Sequence, residues 1–126
     1  MRVIFAYCLL LLHSYALAEM VDHRMNGSFF DVEHEGEGFI VEITGESTAL
    51  IYWFTYDDAG NQRWFIGTGD VSENQIFVQE LLAGSGARFG DGFVPTDVLL
   101  TPVGNLNLEW SDCDTCLLYT SPSPRD

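Results

Sequence analysis

Lysine is absent from this chain, and positive charge of any kind is scarce. Against 19 aspartates and glutamates, the 126 residues carry only 5 basic side chains, and the formal net charge is −14 at pH 7. Such a surface repels nucleic acid and anionic lipid headgroups, and it favours cationic partners or divalent ions. Because the acidic residues are scattered rather than clustered, we interpret most of them as a solubility device, and we predict no nucleic-acid partner.

Cysteine is also rare, with 3 residues in the chain. Cys8 lies in the N-terminal segment and Cys116 in the C-terminal run, both described below, so Cys113 is the cysteine expected in the mature domain. A disulfide within the domain is therefore not predicted, and a native partner of Cys113 would lie outside it. The spacing of Cys113 and Cys116 is not interpreted as a metal or redox motif, because the second cysteine belongs to the C-terminal run.

A hydrophobic run long enough to cross a bilayer is missing, but a shorter one begins the chain. Arg2 precedes an apolar stretch over residues 3–12, and the small-x-small triplet Ala16-Leu17-Ala18 follows. This order predicts a secretory signal peptide over residues 1–18, cleaved before Glu19. The sequence therefore predicts a periplasmic or secreted protein that has no stable membrane insertion after cleavage.

The C-terminal run, residues 116–126, resembles the translation of a transposase sequencing adapter, and every residue of the run fits. We interpret this run as adapter-derived and leave it out of the fold prediction. Residues 19–115 are then predicted to form a single domain that is incomplete at its C-terminus.

No stretch of the predicted domain has the apolar period of 3.6 residues expected of a helix. Short apolar runs alternate instead with clusters of Gly, Asn and Asp, which is typical of many short strands. The predicted strands lie at residues 39–43, 49–56, 62–68, 75–82, 98–101 and 106–110. Their close spacing predicts an all-β fold, an antiparallel meander that forms a small barrel or a sandwich.

One hairpin is predicted in detail, because its turn Asp57-Asp58-Ala59-Gly60-Asn61 contains residues that tolerate positive φ. If Tyr56 pairs with Gln62, the strand alternation divides the hairpin into two apolar faces. One face carries Tyr52, Phe54, Tyr56, Trp64 and Ile66, and the other carries Ile51, Trp53 and Phe65. We predict that the second face packs into the core, because it has no tyrosine hydroxyl to satisfy.

Aromatic, glycine and acidic residues form a pattern along the predicted domain: Phe29-Phe30-Asp31, Gly36-Glu37-Gly38-Phe39, Phe54-Thr55-Tyr56-Asp57, Gly60, Asn61, Trp64, Gly67-Thr68-Gly69 and Asp112-Cys113. In this pattern the chain resembles an uncharacterised secreted β-domain of Gram-negative bacteria. Arg63 stands near the usual proline of the pattern, and Glu35 near a common histidine. The resemblance implies a β fold and export from a Gram-negative bacterium, and it implies no catalytic residue.

Catalytic motifs are not found. Gly84-Ser85-Gly86 lacks the spacing of a nucleophile elbow, and the Gly-rich segment around it has no P-loop lysine. His34-Glu35-Gly36-Glu37 lacks the second histidine of a zinc helix, and we interpret it as a solvated loop. No catalytic residue, metal ligand or cofactor is therefore predicted.

Calcium is the one ion with candidate ligands, in two places. Asp57 and Asp58 with Asn61, or Asp112 with Asp114, present hard oxygen atoms. Neither set has EF-hand spacing. Turn formation also explains the first set, and a polar strand end also explains the second.

The sequence thus predicts an exported, non-catalytic binding or interaction module. Tyr52, Tyr56 and Trp64 are the predicted ligand-binding residues, with a glycan, a peptide, a protein or an envelope component as the ligand. Two alternatives stay open at this point: a small carboxylate-dependent hydrolase, and a structural or inhibitory accessory domain of a larger secreted protein.

Overall fold

The computed structural model describes residues 20–122, so the predicted signal peptide, residues 1–18, lies outside the described range. The described chain forms one seven-stranded antiparallel sheet, in which the strands follow one another in chain order and the sheet curls into a half-barrel. The strands are β1 (Gly27–Phe30), β2 (Gly38–Ile43), β3 (Thr48–Tyr56), β4 (Gln62–Ser72), β5 (Gln75–Ser85), β6 (Leu99–Trp110) and β7 (Cys116–Pro122). The predicted all-β antiparallel meander is confirmed.

Helical structure among the described residues is confined to 3-10 turns. They are His23–Met25 before β1, and Gly90–Gly92 and Pro95–Asp97 in the connection between β5 and β6. None of the helices in residues 20–122 is long and apolar enough to cross a membrane.

The strand boundaries differ from the predicted ones at both ends of the sheet. β1 was not predicted, and the two strands predicted at 98–101 and 106–110 are one continuous strand, β6. Residues 116–122, left out of the fold prediction, pair with β6 as the edge strand β7. Cys116 and Leu118 of this strand pack against the core. The adapter origin of residues 116–126 stays a prediction, but residues 116–122 have a place in the fold.

The core fills the inner, concave side of the half-barrel, where alternate residues of neighbouring strands meet. Trp110 is fully buried, and its indole lies edge-on to Phe29 and Phe39, with centroid distances of 5.7 Å and 6.5 Å. The other side chains that are less than 2% exposed or nearly so are Met25, Val41, Ala49, Ile51, Ile76, Val78, Leu81, Leu106 and Leu108.

The segment before β1 closes one end of this core. Met25 is buried, and the backbone N–H of Val21 donates to the carbonyl of Glu73, at the β4–β5 turn, over 2.8 Å. The side-chain oxygen of Asn26 accepts a hydrogen bond from the backbone N–H of Ile43 at 2.6 Å. The opposite end of the half-barrel, near the β3–β4 turn, has no such cover among the described residues.

Two inward-facing glycines on β4, Gly67 and Gly69, let β5 pack closely over β4. A Cβ at Gly69 would lie 2.5 Å from Cγ2 of Ile76 and 3.0 Å from Cγ2 of Val78, well inside van der Waals contact. The Gly-x-Gly pattern in β4 therefore leaves the space that the branched side chains of β5 occupy.

Gly69→Val should lower the free energy of unfolding by about 1–3 kcal/mol, because it overpacks a closely packed core. Urea unfolding followed by circular dichroism measures the change. Gly84→Ala is the matched control, since a Cβ there comes no closer than 3.9 Å to any heavy atom outside its own neighbourhood. Equal stability of the two variants would show that β5 does not need the gap.

Candidate functional site

The β3–β4 hairpin has the register that the sequence predicts. Tyr56 pairs with Gln62, Phe54 with Trp64, and Tyr52 with Ile66. The two faces of the hairpin therefore carry the side chains assigned to them.

The carboxylate of Asp57 is hydrogen-bonded within the turn of the hairpin. Its Oδ1 accepts hydrogen bonds from the backbone N–H groups of Ala59 at 3.0 Å and Asn61 at 2.9 Å. These bonds, that from Asn61 first, lower the pKa of Asp57 below its usual range. In the other calcium candidate, Asp112 accepts from the backbone N–H of Asp114 at 2.9 Å. Both sets thus act as turn-forming groups.

The inner face of the hairpin belongs to the core. Ile51 is fully buried, and Trp53 and Phe65 are half-buried and pack against the core with their rings 5.4 Å apart. The guanidinium carbon of Arg63 lies 5.8 Å from the centroid of the Phe65 ring. The expectation that Ile51, Trp53 and Phe65 face inward thus agrees with their positions.

The open end of the half-barrel forms a cleft of about 830 Å³ in front of this inner face. Its wall on the hairpin includes Trp53, Thr55 and Arg63, and its opposite wall is formed by β6 and β7. The cleft is broadly open to solvent, and its apolar floor continues the core.

The outer face of the hairpin carries the predicted ligand-binding residues. Trp64 is 53% exposed and Tyr56 is 43% exposed, whereas Tyr52 is half-buried between neighbouring strands. All three lie on the convex side of the sheet, and Tyr52, the farthest of them from the hairpin turn, is the least exposed.

Cross-strand register extends this aromatic face across most of the sheet. In one row Phe30 pairs with Gly38, Gly38 with Phe54, and Phe54 with Trp64. In the next row the pairs run from Ile40 through Tyr52, Ile66 and Leu82 to Pro102. We call ten apolar side chains of this convex surface the outer band: Phe30, Ile40, Tyr52, Phe54, Tyr56, Trp64, Ile66, Leu82, Leu100 and Pro102. Leu50 and Phe77 lie on the same face, towards the end of the sheet away from the β3–β4 turn, and are not part of the band.

Gly84 leaves a groove in the outer band. It pairs with Leu100, and a Cβ at this position would lie 4.0 Å from Cη2 of Trp64 and 3.9 Å from Cδ2 of Leu100. Trp64 and Leu100, which is 58% exposed, therefore stand on either side of a groove that has backbone as its floor.

Tyr56 has a structural contact as well as an exposed ring. Its hydroxyl donates to the backbone carbonyl of Glu35 at 3.3 Å, and its ring end lies directly over Gly36. Gly36 has a φ of +89°, a conformation in which a side chain would be strained and would collide with Tyr56. Tyr56 therefore anchors the β1–β2 loop at the edge of the outer band.

Carboxylates flank the outer band. Glu42 on β2 and Asp70 on β4 are exposed and occupy the same alternating positions as the band, while Arg63 lies on the inner side of the hairpin. The band is therefore an apolar surface with acidic surroundings.

Among the described residues, no polar or charged residue is buried. The hydrolase alternative would gain support from two converging carboxylates with raised pKa values. Hydrogen bonds instead lower the pKa values of four aspartates: Asp22, Asp31, Asp57 and Asp112. Burial raises the pKa of Cys116 to about 12, which keeps that thiol protonated.

Five members of the outer band were not predicted from the sequence as part of the site: Phe30, Ile40, Leu82, Leu100 and Pro102. Each is remote in sequence from the hairpin, and only the register between strands places it beside the aromatic residues. The feature that would have identified Leu100 is its pairing with Gly84. That pairing depends on an irregular register between β5 and β6.

Comparisons of the chain with protein-family models, curated proteins and solved structures gave no match.

Proposed function

We propose that this domain is a non-catalytic interaction module that binds an apolar segment of a protein partner on its outer band. The observation that carries the proposal is Trp64, whose indole is 53% exposed in the middle of a continuous apolar surface. Soluble monomers rarely expose large apolar patches, and those that they expose are often functional.

The composition of the outer band favours a protein or peptide over a small molecule. The surface is convex, and it mixes aromatic rings with the aliphatic side chains of Ile40, Leu82 and Leu100. Tryptophan and tyrosine are the side chains that contribute most strongly to protein interfaces. Tyr52, Tyr56 and Trp64 are accordingly proposed as the principal contacts.

Charge indicates what the partner segment carries beside its apolar residues. The chain has a net charge of −14, and Glu42 and Asp70 lie next to the band. A partner with arginine or lysine around an apolar centre would be attracted over distances near the Debye length, about 10 Å at 0.1 M salt. The proposed ligand is thus a basic amphipathic segment.

The proposed setting is the periplasm or the exterior of a Gram-negative cell. The support is the predicted signal peptide at residues 1–18 and the resemblance to a secreted bacterial β-domain.

A peptide array and a glycan array, probed with the wild type and two variants, test the proposal. Trp64→Ala removes the central ring, and Gly84→Leu fills the groove between Trp64 and Leu100 without removing any contact. We expect basic amphipathic peptides to bind the wild type and to lose at least about tenfold in affinity in both variants, the range of an interface hot spot.

Phe77→Ala is the control, because Phe77 is an aromatic residue of similar exposure, 44%, on the same convex face but outside the outer band, beside Asp70 at the other end of β4 from Trp64. Its binding should equal that of the wild type. Peptide binding that survives both Trp64→Ala and Gly84→Leu would place the interface elsewhere, and selective binding of glycans would show that the ligand class is wrong.

A further inference from the structure

The β1–β2 loop brings together a histidine and two carboxylates that lie three residues apart in sequence. One ligand atom from each of Asp31, His34 and Glu37 lies within 4.8 Å of the other two. The closest pair is Nδ1 of His34 and Oδ2 of Asp31, at 2.7 Å. That contact raises the pKa of His34 and lowers that of Asp31.

The loop is held in this shape by its backbone. The N–H of Asp31 donates to the carbonyl of Glu37 at 3.1 Å, and the N–H of Glu37 donates to the carbonyl of His34 at 3.0 Å. The pairing of Phe30 with Gly38 closes the loop at its base. The three side chains are therefore presented by a short, internally bonded hairpin loop.

A residue of another strand orients one of the carboxylates. The hydroxyl of Thr55, on β3, donates to Oε1 of Glu37 at 2.9 Å. Hydrogen bonds of this kind fix ligand carboxylates at metal sites, and they leave the second carboxylate oxygen available. Thr55 belongs to the inner face of the hairpin, so this bond does not arise from the loop itself.

We propose that Asp31, His34 and Glu37 form a binding site for a divalent first-row transition ion such as Zn²⁺ or Ni²⁺. One imidazole and two carboxylates suit ions of intermediate softness, whereas Ca²⁺ takes six to eight oxygen ligands. All three side chains are reachable from solvent, and an open depression of about 410 Å³ adjoins Asp31 and Glu37. The remaining coordination positions are therefore open to water or to an atom of a partner.

The site differs from the zinc motif that the sequence suggests and that we set aside. A zinc helix needs a second histidine at a fixed spacing, and His34-Glu35-Gly36-Glu37 has none. The third ligand is instead Asp31, which the loop backbone folds back onto His34. A bound ion would also fix the loop against which Tyr56 packs.

Calorimetric titration with Zn²⁺, in the metal-free full domain, tests the site. The wild type should bind one ion, His34→Gln and Asp31→Asn should each weaken binding by more than about tenfold, and Thr55→Val should weaken it by about tenfold as an orienting residue. His23→Gln is the matched control, because His23 is exposed and follows Asp22 in the chain, but no third candidate ligand lies near them among residues 20–122. It should bind as the wild type does.

Two further measurements complete the test. Paramagnetic Ni²⁺ added to the ¹⁵N-labelled wild type should broaden the amide signals of the β1–β2 loop first, and circular dichroism should show each variant folded. Zn²⁺ binding that is equal in His34→Gln and the wild type, or that Ca²⁺ abolishes at equal concentration, would overturn the proposal and indicate diffuse attraction by the acidic surface.

Discussion

Trp110→Ala should lower the free energy of unfolding by about 3–5 kcal/mol, the range found for truncation of large buried aromatic residues. Trp110 is fully buried at the end of β6, and its ring meets Phe29 of β1 and Phe39 of β2 edge-on. It therefore connects the last third of the sheet to the first two strands across the inside of the half-barrel. A domain of this size has a total stability of only about 5–15 kcal/mol, so the variant should lose a large fraction of its stability.

Trp110→Phe is the informative companion. The indole Nε1 of Trp110 is buried without a hydrogen-bond partner among the described residues, and an unsatisfied buried donor costs about 1–3 kcal/mol. Phenylalanine keeps much of the ring and removes that donor, so we expect a much smaller loss than in Trp110→Ala. Thermal and urea unfolding measure both variants, and a loss in Trp110→Ala below about 1 kcal/mol would contradict the assigned core.

The β3–β4 hairpin could be predicted in register because its determinants are local. Asp57 bonds to the backbone two and four residues later, Gly60 adopts a φ of +82°, and strict alternation then assigns each side chain to a face. A change of one residue in the turn would have exchanged the two faces.

The ends of the sheet could not be predicted in this way. β1 is only four residues long, and three of its positions, Gly27, Ser28 and Phe30, are exposed, which gives no clear alternation. β6 contains Pro102 and Gly104, which indicate a break in the sequence, yet the strand continues through an irregular register with β5. Residues 116–122 were left out of the fold prediction because of their predicted adapter origin rather than their composition, which favours a strand.

The residues of the two candidate sites could likewise be predicted only in part from the sequence. Tyr52, Tyr56 and Trp64 share a face by local alternation, whereas their neighbours Ile40 and Leu100 arrive through pairings that span several strands. Similarly, Asp31, His34 and Glu37 lie three residues apart in the sequence, but the way in which the β1–β2 loop closes brings their side chains together.

An exposed apolar band is a hazard for an isolated domain, since it favours self-association. The strong negative charge opposes that outcome, because two copies repel each other as they approach. Glu42 and Asp70, beside the band, would face the carboxylates of a second copy but would attract a basic partner. The scarcity of positive charge and the apolar band are therefore compatible in one surface.

We propose that one face of the β3–β4 hairpin is core and the other is an interaction surface. The free energies of unfolding of Trp53→Ala and Trp64→Ala, measured side by side in urea, test it most directly. Trp53 packs against Phe65 and the core, and its loss should cost about 3–5 kcal/mol. Trp64 is 53% exposed, and its loss should cost no more than about 1 kcal/mol. If Trp64→Ala unfolds the domain as severely as Trp53→Ala, both faces are core and the outer band is not a binding surface.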